Sequence, residues 1–150
     1  MSKAVHKVRL GSIAVAAPKS WVDLTPDLDD PDAPYTLAKQ DGVGALQFSI
    51  AVYRRGKNPS ISAADLQDML REFERAQQLR KGFDRRNQED ALSITAASYH
   101  ETESDDFIRL WYVSDGKNVA LVSYTCSWAA PRNELQDCEH IVESISFTKE

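Results

Sequence analysis

Residues 107–128 read FIRLWYVSDGKNVALVSYTCSW, two runs of apolar, aromatic and β-branched residues on either side of Ser114-Asp115-Gly116-Lys117-Asn118. This pattern predicts a β-hairpin. Asp115-Gly116 can supply the φ > 0 positions of a tight turn, and the flanking residues suit a pleated, half-buried surface. Alternation along the first arm puts Phe107, Arg109, Trp111 and Val113 on one face and Ile108, Leu110 and Tyr112 on the other. Neither set reads as solvated, so the hairpin belongs at the centre of a sheet that is covered on both faces.

The rest of the chain must supply edges and covers. Val5, Val8, Leu10, Ile13 and Val15 alternate weakly around Gly11-Ser12, which predicts two short strands or one bent strand. Pro18 lacks the N–H of a ladder, so the pattern is expected to break there, with Trp21 closing one end of the core. Residues 23–34 are acidic, proline-rich and without periodicity, and read as a loop. Residues 35–39 predict a short strand, Asp41-Gly42-Val43-Gly44 a turn, and residues 45–53 a strand with Leu46, Phe48, Ile50 and Val52 on one face. Residues 54–61 form a second loop. Ser62, with Asp65 three positions on, is a helix N-cap; Leu66, Met69, Leu70, Phe73 and Ala76 recur at helical spacing to Leu79, and Gly82 marks the end. Residues 80–86 are basic, 91–100 carry strand-forming residues, and 101–106 make an acidic link. After Trp128, Pro131 opens a helix over residues 132–144 with the stripe Leu135, Cys138, Ile141, Val142 and Ile145, and His140 on its exposed side. Residues 146–148 read as a closing strand.

Strands joined by hairpins, with only two helices, define an α+β fold: an antiparallel sheet of about five to seven strands between one helix on each face, a three-layer α/β/α sandwich. At 150 residues, 42% hydrophobic and 27% charged, the chain fits a single domain with a real core. A net charge of -5 opposes a nucleic-acid or anionic-membrane binder. No run approaches the ~20 apolar residues of a membrane helix, and the first seven residues lack the apolar centre of a secretory signal. A cytoplasmic monomer or homodimer is the expectation. Cys126 and Cys138 are too few for a disulfide framework and lack metal-ligand spacing, so both read as reduced packing residues.

Residues 14–21, AVAAPKSW, resemble the strand, proline, tryptophan entry of the PsbP-like fold group, which includes the Ran-binding Mog proteins and bacterial relatives. Residues 141–147, IVESISF, are similar to that group's ending. The resemblance implies a PsbP-like sandwich and a non-enzymatic, protein-binding role, since the group's bacterial members include chaperones for secreted toxin effectors. It carries no partner-binding residue onto this sequence.

The chemistry-bearing residues do not assemble into a motif. His6, His100 and His140 lie on separate elements, so neither a metal nor a cofactor is expected. Gly42-Val43-Gly44 precedes a strand and cannot gather N–H groups at a helix start. Ser20, Ser114 and Ser123 have no nucleophile elbow around them. In the basic cluster, Arg80 and Lys81 complement a helix C-terminus, while Arg85 and Arg86 are left without a role; Phe83 alone gives no stacking platform for nucleic acid. The acidic residues Asp27, Asp29, Asp30 and Asp32 lack the glycine and terminal glutamate of a calcium loop. Together with Glu101, Glu103, Asp105 and Asp106 they are the candidate partner-binding residues, facing a basic toxin or secreted effector. The expected function is that of a bacterial immunity protein or an adaptor or chaperone, with Tyr35, Tyr53 and Trp128 as alternative apolar anchors. The competing reading is a small hydrolase or ligand-binding enzyme that uses dispersed residues such as His100, Asp105 and Ser123.

Overall fold

The computed structural model describes residues 4–27, 34–51 and 60–147, with only the backbone of Asp27 and Ala51. The elements in chain order are β1 (Val5–Leu10), β2 (Ile13–Pro18), β3 (Trp21–Asp23), a short 3-10 turn (Thr25–Asp27), β4 (Tyr35–Lys39) and β5 (Gly44–Ala51). There follow α1 (Ala63–Ala76), β6 (Phe83–Glu89), β7 (Ser93–Glu101), β8 (Asp106–Ser114), β9 (Val119–Ser127), α2 (Leu135–Glu143) and β10 (Ser146–Phe147). Seven strands form one antiparallel sheet, β3-β4-β5-β9-β8-β7-β6, and three form another, β1-β2-β10.

The β8–β9 hairpin sits inside the large sheet, with Phe107 opposite Cys126, Trp111 opposite Val122 and Val113 opposite Ala120. Its two faces are buried in different cores, as its two-sided pattern requires. Phe107, Trp111 and Val113 join Leu10, Ile13, Val15, Cys138, Ile141 and Val142 in the main core, where α2 and the small sheet form the covering layer. Leu110 joins Leu70, Ala97 and Tyr99 on the opposite face, with Phe73, Leu79 and Tyr112 packed against them beneath α1. That helix packs on β6, β7 and β8. Farther along the same face, Gln47, Ser49 and Thr125 are exposed, so the polar residues of β5 and β9 match the region α1 does not cover. Cys126 and Cys138 are unpaired and buried, and burial pushes the Cys138 thiol up, aided by the carboxylates of Glu134 and Asp137.

Several local expectations change. Only Gly116 takes positive φ in the central turn, at 100°. Asp115 acts instead as an acceptor, its Oδ1 receiving the N–H groups of Lys117 and Asn118 at 3.0 and 2.8 Å. Pro18, opposite Val5, is the last residue of β2, so the strand does break there. The small sheet forms because Gly11, at φ 62°, turns β1 back onto β2, whose far side then takes β10. The basic stretch after α1 is an edge strand, β6, whose polar alternation carries no apolar signal but protects a sheet edge. Helix α1 begins at the expected capping box of Ser62 and Asp65. It ends before Gly82, at a Schellman-type cap in which Gln78 adopts φ 56°. There the Leu79 N–H reaches the Glu74 carbonyl at 2.8 Å and the Gln78 N–H the Arg75 carbonyl at 3.3 Å. Helix α2 starts at Leu135, leaving Pro131 outside it, and Ile145 packs just beyond its end. Val52, Tyr53, most of the loop 54–61 and Thr148 lie outside the described residues.

The carboxylates of α2 and its approach fasten this layer to the sheets. Glu134, only 3% exposed, accepts the Tyr124 hydroxyl at 2.7 Å and the Val43 N–H at 2.9 Å. Asp137 accepts the Trp21 indole N–H at 3.1 Å. Glu139 accepts Arg109 and Arg86 at 2.7 Å each and the Trp111 indole N–H at 3.1 Å. Each satisfies a donor that burial would otherwise leave unpaired, at a cost of about 1 to 3 kcal/mol per group. Burial, then the bond to Glu134, pushes the Tyr124 hydroxyl far up, so it stays a donor.

Candidate protein-docking surface

Glu101 ends β7 and Asp106 starts β8, so the acidic link of the sequence is the turn of a hairpin. Asp105 supplies a left-handed φ of 56°, a conformation aspartate tolerates better than most residues. Its carbonyl receives the Trp128 N–H at 2.9 Å, which draws the exit of β9 against the turn. The register puts His100, Phe107 and Cys126 at one level of the sheet, and Trp128 follows just beyond. The His100 ring consequently stacks on Trp128, with centroids 3.8 Å apart and planes 10° from parallel, while its Nε2 meets Asp105 Oδ1 at 2.8 Å.

Around this stack the rings form a cluster. Phe83 stands edge-on to Trp128 at 6.3 Å and tilted to Phe107 at 6.2 Å. The Arg132 guanidinium lies over Phe107 at 4.3 Å and Trp128 at 4.8 Å, held by carbonyls of Trp128 and Ala130. Trp128, Phe83, His100 and Arg132 are each half-buried: fixed from below and open above. Beside them opens a cleft of about 690 Å³ between the segment after α1 and the acidic turn, with Leu79, Arg80 and Lys81 on one side and Phe83, His100, Glu101 and Glu103 on the other. Two left-handed residues line it, Gln78, which caps α1, and Lys81.

Of the candidate partner-binding residues, Glu101, Glu103, Asp105 and Asp106 converge on this turn. Asp27 ends the 3-10 turn after β3, whereas Asp29, Asp30 and Asp32 lie outside the described residues. Strand β3, which leads toward the first acidic segment, does not lie beside the turn. β4, β5 and β9 stand between β3 and β8. Four strand spacings of about 4.8 Å separate them by ~19 Å, and β3 runs away from the end of the sheet that carries the turn.

The dispersed hydrolase site does not assemble. His100 and Asp105 meet, but Ser123, opposite Leu110, points to the α1 face, while His100 points to the α2 face. Among the described residues no three His, Cys, Asp or Glu side chains are grouped to hold a metal ion. Of the alternative anchors, Trp128 is at the cluster, Tyr35 is 36% exposed with its ring against Gly11, and Tyr53 is outside the described residues. Sequence reasoning missed the convergence of Phe83, His100 and Arg132 on Trp128. His100 and Trp128 stand at predicted strand ends, but Phe83 lies in the basic stretch and Arg132 opens the predicted helix, so no spacing in the sequence links the four.

No protein-family model and no curated protein matches the sequence. Solved structures do match in three dimensions. The Ran-binding protein Mog1p of Saccharomyces cerevisiae superposes with a TM-score of 0.63 at 10% identity, over 99% of this chain and 97% of that one. Cyanobacterial PsbP from Synechocystis gives 0.57 at 9% identity, over 98% and 94%. A chain from Bacteroides thetaiotaomicron gives 0.62 at 13% identity; all of this chain matches, and it spans half of that one. No helix among the described residues is long and apolar enough to cross a membrane. With its α+β layers, its central hairpin and these superpositions, the chain has the PsbP/Mog1-like fold.

Proposed function

We propose that the protein is a non-enzymatic protein-binding module whose partner docks on the β7–β8 end of the large sheet. The observation that carries this reading is the stack of His100 on Trp128 beside the acidic turn. A half-buried, preorganised aromatic next to an open cleft is the anatomy of an interface anchor, and neighbouring carboxylates steer a positively charged partner. The fold is shared with a protein described as Ran-binding, which supports protein recognition as a use of this scaffold by analogy only.

The finer proposal is a cytoplasmic immunity protein, adaptor or chaperone for a basic toxin or secreted effector. It rests on the net charge of -5 and on Glu101, Glu103, Asp105 and Asp106 standing together. Asp27, Asp29, Asp30 and Asp32 are proposed as further contacts with the same partner.

The test is co-purification of the protein with the products of genes adjacent to its own, followed by measurement of affinity for each. Micromolar or tighter association with a basic product, weakened when Trp128 is replaced by alanine, is expected. No association, with a metabolite co-purifying instead, would favour a ligand-binding enzyme and overturn the reading.

A further inference from the structure

Arg85 and Arg86 have no role in the sequence pattern, and strand alternation separates them. Arg86 and Gln88 turn to the α2 side, where Arg86 is held between Glu139 and Glu143. Arg85 and Asn87 turn the other way, under α1. There they line a cleft of about 360 Å³ with Gln67, Leu70, Arg71 and Thr95, a volume in the range of small-molecule sites.

Hydrogen-bond donors exceed acceptors in this cleft. Glu74, the one carboxylate lining it among the described residues, is already engaged: Oε2 accepts the Tyr99 hydroxyl at 2.5 Å and Arg85 at 2.9 Å. Burial, then the bond to Glu74, pushes the Tyr99 hydroxyl up, so it remains a donor there. Among the described residues Arg85 gives one N–H to Glu74, and Arg71 gives one to Asp68, a pair exposed on the helix surface. Asn87 uses its carbonyl oxygen for Thr95, which leaves its amide N–H groups without a bond among the described residues, and Gln67 adds a second side-chain amide to the lining. Two guanidinium forks, each paired with one carboxylate among the described residues and each carrying more N–H groups than that bond uses, stand with two amides in a donor-rich wall. Leu70 supplies an apolar floor.

The geometry points to this cleft as a binding site for a small oxyanion: a carboxylate or phosphate group on a low-molecular-weight ligand, held between Arg71 and Arg85. This does not depend on the docking surface, which lies at the end of the sheet.

Titration of the full-length protein with succinate and, separately, inorganic phosphate, followed by amide chemical shifts, tests it. Saturable shifts centred on Gln67, Arg71, Arg85 and Asn87 are expected with at least one anion, and which one responds identifies the group recognised. Arg71→Gln, on an exposed helix position, should weaken binding about tenfold, the usual loss of one charge-assisted contact. Arg71→Lys should recover only part of it, because the fork is lost. Arg85→Gln serves as the second variant, with circular dichroism to verify folding. Absence of saturation by both anions, equal shifts with chloride at matched ionic strength, or affinity unchanged in both glutamine variants would overturn the assignment.

Discussion

The side chain of Arg109, 6% exposed at the centre of the sheet, donates its Nε–H to Glu139 of α2 at 2.7 Å. Its other bonds reach the Asp84 carbonyl at 2.8 Å and the Ser98 hydroxyl at 2.9 Å, so the carboxylate is its only charged partner among the described residues. Glu139→Ala leaves a buried cation without its counter-charge and should destabilise the fold by about 3 kcal/mol, lowering Tm by roughly 6 to 12 °C. The double variant Arg109→Met/Glu139→Leu should lose less than Glu139→Ala alone, because it buries no unpaired charge. Denaturant titration of both decides the point, and equal losses would count against it.

Trp111 is fully buried and bonded to Glu139 through its indole N–H. Trp111→Ala should cost about 3 to 5 kcal/mol by cavity formation. An unchanged thermal midpoint would be incompatible with its position between the sheet and α2.

Asp115 organises the central turn by accepting two backbone N–H groups and the Asn118 amide. Partial burial pushes its carboxyl up, but these bonds outweigh it and hold the group below the usual aspartate value of 3.8. A depressed folded value means the contribution is complete above about pH 4 and fades as pH falls through the lower folded value. Asp115→Ala should therefore cost about 1 kcal/mol at neutral pH. The gap between wild type and variant should close in acid; a gap independent of pH would contradict the assignment.

Gln78 holds the left-handed position at the end of α1. Gln78→Gly should stabilise the protein by ~0.5 to 1 kcal/mol, since glycine reaches this conformation without a Cβ clash. Loss of stability would mean that the Gln78 side chain makes an unrecognised contact.

At the docking surface, charge and anchor should leave different kinetic signatures. Reversing Glu103 and Asp106 to lysine should slow association with a basic partner several-fold, an effect that shrinks with added salt. Trp128→Ala should act mainly on dissociation, weakening the complex by roughly 30-fold if it is a hot spot of ~2 kcal/mol. Stopped-flow traces in which both variants match wild type would move the interface elsewhere.

What could be read from the chain follows from the kind of signal each element carries. The β8–β9 hairpin was legible because both its faces are apolar, and the start of α1 because Ser62 and Asp65 form a capping box. β6 was not, since an exposed edge strand written FDRRNQE repeats polar residues whose alternation a hydrophobicity pattern cannot see. The end of α1 was misplaced because Gln78, not a glycine, takes the left-handed position. The acidic turn was visible as charge, but its pairing with Trp128 depends on a register that sequence spacing does not encode.

Strand β10 pairs with β2, and the Ser144 hydroxyl receives the Ala16 N–H at 2.8 Å, across 128 positions of sequence. During synthesis the β1–β2 hairpin therefore emerges from the ribosome long before the helix that covers it. Its inner residues Leu10, Ile13 and Val15, all buried in the finished protein, wait exposed until residues 135–147 have been made. Closing so large a loop makes for slow folding, and the exposed interval is when the nascent chain is most open to chaperones or to aggregation.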